Sequence, residues 1–321
     1  MFHDIDPRLL RAFEAVAEDL HFTRAAARLY VAQQALSRDV RRLERELGTQ
    51  LFVRSTRSVS LTGEGQRLLP YARRVLAAYN ELAAARAPED RPLVFDVGTP
   101  IGTAYQVLEE VRTAAPDVEF VARFHSGLTG AAAEILAGRL DVAAGRVAGL
   151  DPAVLHQLEH RAVRFERVAV LIAEDHLLAA LDAVPLDALA GETLYAGAGN
   201  PDTAEWTDFA LRLFEGRGIE VAPAFPGIEG AQEFVRVVRK QGWSVLASTE
   251  FIAVPGMVLL PIVEPIPLSP ISLVWRKGLR HKGLEALNGT IDQLVHGRQW
   301  LEVPIGGWLP EADKSLILNN K

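Results

Sequence analysis

Net positive charge in this chain is confined to its beginning. Between Arg8 and Arg74 there are 13 Arg, no Lys and 7 acidic residues, a balance of +6. The whole chain carries −7, so the remainder carries −13, and the first lysine is Lys240. A basic N-terminal segment joined to an acidic body is the layout of a polyanion-binding module attached to something that is not one. The length of 321 residues fits two domains. The absence of cysteine removes disulfides, thiolate metal sites, iron–sulfur clusters and cysteine nucleophiles together. No apolar run reaches the roughly 18 residues of a membrane helix. Met1 to Leu20 carries Asp4, Asp6, Glu14, Glu18 and Asp19 where a signal peptide would be apolar, so a cytoplasmic protein without a membrane partner is expected.

Within the basic segment the apolar residues recur at helical spacing. Asp6-Pro7 reads as a helix start, followed by Leu9, Phe13, Val16 and Leu20. Thr23 can cap a short second helix whose small Ala25-Ala26-Ala27 lets a neighbour approach. In a third helix Leu36, Val40, Leu43 and Leu47 form one stripe. Gln34, Arg38, Arg41 and Arg45 lie opposite, beside Gln33 and Ser37, and Gly48 ends the helix. Carboxamide and guanidinium groups on one side of a helix suit the major groove, where they bond adenine and guanine edges in pairs. Leu51 to Arg54 and Val59 to Leu61 alternate as a short hairpin closed by Ser55 to Ser58, its arginines within reach of phosphate. Three helices and a basic hairpin make a winged helix-turn-helix.

The runs Phe22-Thr23-Arg24-Ala25-Ala26-Ala27-Arg28-Leu29, Ala32-Gln33-Gln34-Ala35-Leu36-Ser37, Leu43-Glu44-Arg45-Glu46-Leu47-Gly48, Leu51-Phe52-Val53-Arg54 and Leu61-Thr62-Gly63-Glu64-Gly65 closely resemble the N-terminal domain of LysR-type transcriptional regulators. The resemblance implies that Gln33, Gln34, Ser37 and Arg38 sit at or near bases, and that Thr23, Arg24, Arg41, Arg54 and Arg57 lie nearer the DNA backbone. Ala32 stands where the family usually has Ser, and Gln34 where it has Pro or Ser. A hydroxyl is thereby lost and a carboxamide gained on the groove side, so an altered base preference is expected.

From Gly63 to about Arg86 the chain reads as one long helix with Pro70 near its start. Leu68, Ala72, Val75, Tyr79 and Leu82 form its seam for pairing with a second copy. Pro88, Arg91 and Pro92 then mark a hinge. Beyond them strands and helices alternate as in a parallel α/β sheet, with strands expected at Leu93 to Val97, Val118 to Phe124 and Leu140 to Ala144 and a second set after Arg167. Leu140-Asp141-Val142-Ala143 and the run from Glu174 to Leu186 are similar to the family's effector domain. That likeness implies two lobes of periplasmic-binding-protein type joined by crossing strands near Arg161 to Arg167 and Pro261 to Ser269. The segment Arg239-Lys240-Gln241-Gly242-Trp243 departs from the family's usual Gly-rich run.

The expected fold is therefore α/β: a winged helix-turn-helix over residues 1–62, a linker helix and hinge over 63–90, a two-lobed effector domain over 91–300, and a tail over 301–321. Lobe one is expected from 91–161 and 268–300, lobe two from 162–267. Ligands of open α/β lobes collect at the carboxyl ends of strands, where helix N-termini offer free N–H groups to an anion. This nominates Thr99, Pro100, Thr103, Ser126 and Thr129 as effector contacts, Arg146 as a clamp for a carboxylate, and Asn200 and Gly230 from lobe two. Capping or turn roles stay open for Thr103, Ser126, Asn200 and Gly230.

No nucleotide, hydrolase or zincin motif occurs. His156 and His160 could share a helix face but lack further ligands, so neither a catalytic nor a metal or cofactor site is expected. The family resemblance implies double-stranded promoter DNA and a small-molecule effector as partners, assembly as a homotetrameric dimer of dimers, and contact with RNA polymerase. A ligand-independent regulator and a solute-binding protein are the alternatives.

Overall fold

The computed structural model describes residues 5–54, 59–84, 91–124, 127–228 and 230–318. The chain divides into two compact units, residues 1–87 and 88–321. No helix among the described residues is long and apolar enough to cross a membrane.

The N-terminal unit contains α1 (Pro7–Asp19), α2 (Phe22–Arg28), α3 (Gln33–Leu47), β1 (Phe52–Arg54), β2 (Val59–Leu61) and α4 (Gly63–Ala84). Asp6 caps α1 by accepting from the Arg8 amide at 2.8 Å, and Pro7 occupies the first helical position, where no N–H is missed. Thr23 does not cap α2. The His21 ring does, its Nδ1 accepting from the Thr23 amide at 3.2 Å. Ala32 begins α3 without a side-chain cap, and Gly48 ends it at φ 68°, a left-handed residue that costs glycine nothing. Leu36, Val40 and Leu43 are buried with Leu9, Phe13, Val16 and Phe22 in one core. Phe13 and Phe22 both meet Phe52 edge-to-face, so the hairpin is anchored to the helices through one ring. The Glu44 carboxylate accepts from the Leu51 and Phe52 amides at 3.0 and 3.3 Å, fixing the turn from α3 into β1. Gly65 is obligatory in the first turn of α4, because a Cβ there would run into the Leu51 carbonyl.

In the second unit, lobe one contains β3 (Leu93–Asp96), α5 (Thr103–Ala114), β4 (Phe120–Arg123), α6 (Leu128–Leu136), β5 (Val142–Gly145) and α7 (Pro152–Leu155). The chain then enters β6 (Leu158–Ala173), a 16-residue strand whose first half belongs to lobe one and whose second half belongs to lobe two. Lobe two adds β7 (Val184–Pro185), β8 (Thr193–Tyr195), α8 (Ala204–Phe214), β9 (Glu220–Val221), α9 (Ala231–Gln241), β10 (Ser244–Ser248) and β11 (Met257–Val263). The chain returns through β12 (Ile266–Arg276) and α10 (Lys282–Arg298), then forms β13 (Gly307–Trp308) and α11 (Glu311–Leu318).

Along the sheet the order is β4-β3-β5-β12-β6-β10-β8-β9, with β3, β4 and β5 parallel and β12 and β6 antiparallel to their neighbours. Alternation along β6 serves two cores at once. Val168, Val170 and Ile172 pack with Phe209 and Leu213 of α8, while Leu171 packs with Tyr195, Val238 and Val245 on the α9 side. In the segment that departs from the family pattern, Gly242 ends α9 in the left-handed region and Trp243 stacks on Tyr195 at 4.7 Å.

Residues 301–318 are no loose tail. β13 pairs in parallel with the start of β12, Trp308 meets Phe209 of lobe two edge-to-face, and Leu316 packs against the lobe-one cluster of Leu128, Ile135 and Leu140. Arg91 is likewise anchored: its guanidinium bonds Asp141 at 2.7 Å and its carbonyl meets His281 Nε2 at 2.9 Å. Pro88 lies outside the described residues. His156 follows α7 and His160 lies in β6 opposite Val274, so the two share no helix face.

Candidate nucleic-acid interface and inter-lobe cleft

α3 is divided by burial as its sequence divides it by polarity. Gln33, Gln34, Arg38 and Arg41 are exposed and Ser37 half-buried, while Leu36, Val40 and Leu43 are at most 1% exposed. A concavity lined by Arg8, Arg38, Arg41, Arg42, Arg45 and Gln50 extends this cationic side. Acids temper it locally, as Asp39 pairs with Arg8 at 2.9 Å and Glu46 with Arg42 at 2.8 Å. Arg24 is exposed, and its guanidinium donates to the Asp19 carbonyl at 2.6 Å, closing the end of α1. Thr23 is exposed beside it. The side chain of Arg54 and all of Arg57 lie outside the described residues.

The seam residues of α4 do not all face one way. Ala72 is buried and Leu68 partly buried in the core of their own unit, together with Leu76, which the sequence pattern missed. Val75, Tyr79 and Leu82 are exposed, with Arg11 over the Tyr79 ring at 4.9 Å.

In the second unit, both helix N-termini nominated in lobe one are filled by protein carboxylates. At α5 the Glu166 Oε1 accepts from the Thr103 amide at 3.2 Å and from its hydroxyl at 2.6 Å. Burial pushes the Glu166 carboxyl above its ordinary range. Glu250 adds to the shift, while the two Thr103 bonds and Arg164 oppose it. Glu250 is itself held by Arg164 at 2.6 Å and by the Gln106 side chain, whose Nε2 donates at 2.8 Å. At α6 it is Glu205, from lobe two, that accepts from the Leu128 and Thr129 amides and from the Thr129 hydroxyl.

Arg146 is not a free clamp. It is 2% exposed, with Asp313 on Nε and Nη2 and Asp208 and the Glu205 carbonyl on Nη1. Hydrogen bonds from Arg212 and Arg146 overcome burial and hold the Asp208 carboxyl low, whereas burial outweighs Arg146 at Asp313 and holds that carboxyl high. The expectation that Arg146 receives an effector anion is corrected on this ground, since two protein carboxylates already take its charge.

The remaining nominees divide. Thr99 is exposed and donates to the Ile101 carbonyl at 2.6 Å, and Pro100 is exposed beside it. Asn200 caps its own turn by accepting from the Asp202 amide at 3.1 Å. Gly230 begins α9 at φ 82° without a side-chain cap. Ser126 lies outside the described residues. Glu166, Glu205 and Asp313 were invisible to sequence reasoning because their partners stand 63 to 167 residues away. An isolated Glu or Asp carries no local mark of such a pairing.

Residues 7–66 match the family described as bacterial regulatory helix-turn-helix protein, lysR family, and residues 91–294 match the LysR substrate binding domain. The HTH-type transcriptional regulator XapR of Escherichia coli (strain K12) is 33% identical over 272 residues, covering 82% of this chain and 89% of that protein. Full-length BenM is similar in structure at a TM-score of 0.53 and 25% identity, over 93% of this chain and 99% of that one. Full-length CbnR, solved in complex with its target DNA, shares the fold at a TM-score of 0.56 and 24% identity, over 90% and 99% of the two chains. A helix-turn-helix and a two-lobed domain, each matched in order along nearly the whole sequence, place this chain in the LysR family of bacterial transcriptional regulators.

Proposed function

We propose that the protein is a promoter-binding regulator in which α3 reads the major groove and a small effector in the cleft between the two lobes alters the DNA-bound assembly. The observation that carries this reading is the one-sidedness of α3: Gln33, Gln34 and Arg38 are exposed at its N-terminal half while Leu36, Val40 and Leu43 are locked in the core. Gln33, Gln34, Ser37 and Arg38 contact base edges in this reading, and Thr23, Arg24 and Arg41 hold the phosphates. The uncapped Ala32 start leaves the first α3 amides free to meet phosphate. Paired α4 helices supply a twofold reader, and two such pairs form the dimer of dimers.

The test is a gel-shift titration at fixed salt on a duplex selected from a random-sequence pool. Arg38→Ala should weaken binding by about 1–3 kcal/mol, the worth of a paired base contact. Unchanged affinity would remove Arg38 from the reading surface. A second reading, regulation without any ligand, draws support from the two lobe-one helix N-termini, whose N–H groups are already occupied by Glu166 and Glu205.

A further inference from the structure

The two lobes approach each other closely at the α6 N-terminus. Three lobe-one glycines make room there for one lobe-two segment. A Cβ on Gly127 would run into the Asp202 carbonyl, one on Gly130 would stand 2.9 Å from the Asp202 side chain, and one on Gly149 would stand 2.5 Å from the Glu205 Cα. Into this space lobe two inserts Glu205, only 6% exposed. Its Oε1 accepts from the Leu128 amide at 2.6 Å, and its Oε2 from the Thr129 hydroxyl at 2.6 Å and the Thr129 amide at 3.2 Å. The Glu205 carbonyl accepts from Arg146 of lobe one at 2.8 Å, so a single residue is held by lobe one through both side chain and backbone. Positive N–H groups at a helix start favour an anion, and here the anion comes from the opposite lobe of the same chain.

We propose that the α6 N-terminus is a self-occupied anion seat, and that Glu205 acts in it as a tethered carboxylate that latches the two lobes shut without an effector. The latch rests on reading the lobed domain as the signalling module. It gives that module a closed resting state in which the seat is already taken by the chain's own carboxylate. Arg146, Asp208 and Asp313 stand behind the latch as a positioning group, aligning the Glu205 backbone without touching the seat.

The experiment uses the full chain and follows amide hydrogen exchange in the segment containing Leu128 and Thr129. Glu205→Ala should speed exchange there by about tenfold or more, since bonds to an ionised acceptor are lost. About 0.1 M sodium acetate, but not sodium chloride of equal ionic strength, should restore most of the protection by refilling the emptied seat. Wild-type protein should not respond to acetate. Glu205→Gln keeps the side chain's shape but not its charge, and should exchange faster without rescue because the seat stays filled. Unchanged exchange in either variant overturns the latch, as does equal protection of wild type and Glu205→Ala by acetate. The readout does not involve DNA, so a failed latch leaves the promoter-binding reading standing, and a failed gel shift leaves the latch standing.

Discussion

Glu166 shows how far a residue's role departs from what its letter conveys. It sits midway along β6 in an otherwise unremarked polar stretch, yet it closes the start of α5. Its carboxyl is raised above the ordinary value chiefly by burial, with Glu250 and Arg164 as the charged groups facing it. The folded chain therefore holds this proton more tightly than the unfolded chain does. Its contribution to stability is fully present below the ordinary glutamate pKa of about 4.3, and is lost as pH rises through the folded-state value. Glu166→Gln keeps one oxygen to accept from Thr103 and removes the titration. The variant should gain on wild type in the thermal midpoint of the lobed domain as pH is raised from about 4 to 7. A difference that stays flat with pH would show that this carboxyl is not strained by burial. Arg146 teaches the same lesson in reverse. An arginine at the end of a parallel strand invites the reading of an anion clamp, but only the fold reveals that Asp208 and Asp313 reach it first.

At the scale of elements, the helical period made α1, α3 and α4 legible, because an apolar stripe at 3.6-residue spacing has few other uses. What the stripe does not say is whom it serves. In α4 the Leu68 and Ala72 positions, with Leu76, close the core of their own unit, while Val75, Tyr79 and Leu82 remain exposed. One helix thus has two apolar clients, and a sequence pattern merges them. If the exposed set pairs two copies, Val75→Glu combined with Leu82→Glu should raise the apparent dissociation constant of self-association at least tenfold, since each apolar side chain is worth about 1.5–3 kcal/mol when fully buried. Sedimentation across a concentration series reads this. The fold should survive, as the two positions are 50% and 66% exposed. An unchanged assembly would move the pairing surface elsewhere. Caps were less legible than cores: His21, not Thr23, closes the start of α2, because the helix already begins at Phe22 and the His21 ring nitrogen reaches the Thr23 and Arg24 amides.

For the whole molecule, the alternation of strands and helices after Pro92 was enough to expect a lobed α/β domain, and order along the chain supplied the rest. The terminal segment escaped that reasoning. Its β13 is two residues long, and its partners in β12 and near Arg146 lie far back in the sequence. Removing residues 301–321 takes Asp313 from Arg146 and Trp308 from the ring of Phe209. Stripping one partner from a buried ion pair costs about 3–5 kcal/mol. The truncated chain should show a markedly lower calorimetric transition for the lobed domain while the transition of the N-terminal unit stays in place; coincidence with the full chain would make the segment dispensable. The order of synthesis gives this arrangement a further meaning. The N-terminal unit is complete early and can fold as soon as it emerges. The body is completed later, because Asp313 is made 167 residues after the buried Arg146 that it pairs with. A nascent chain therefore owns the finished core of its N-terminal unit well before Asp313 is available to complete the charge set around Arg146.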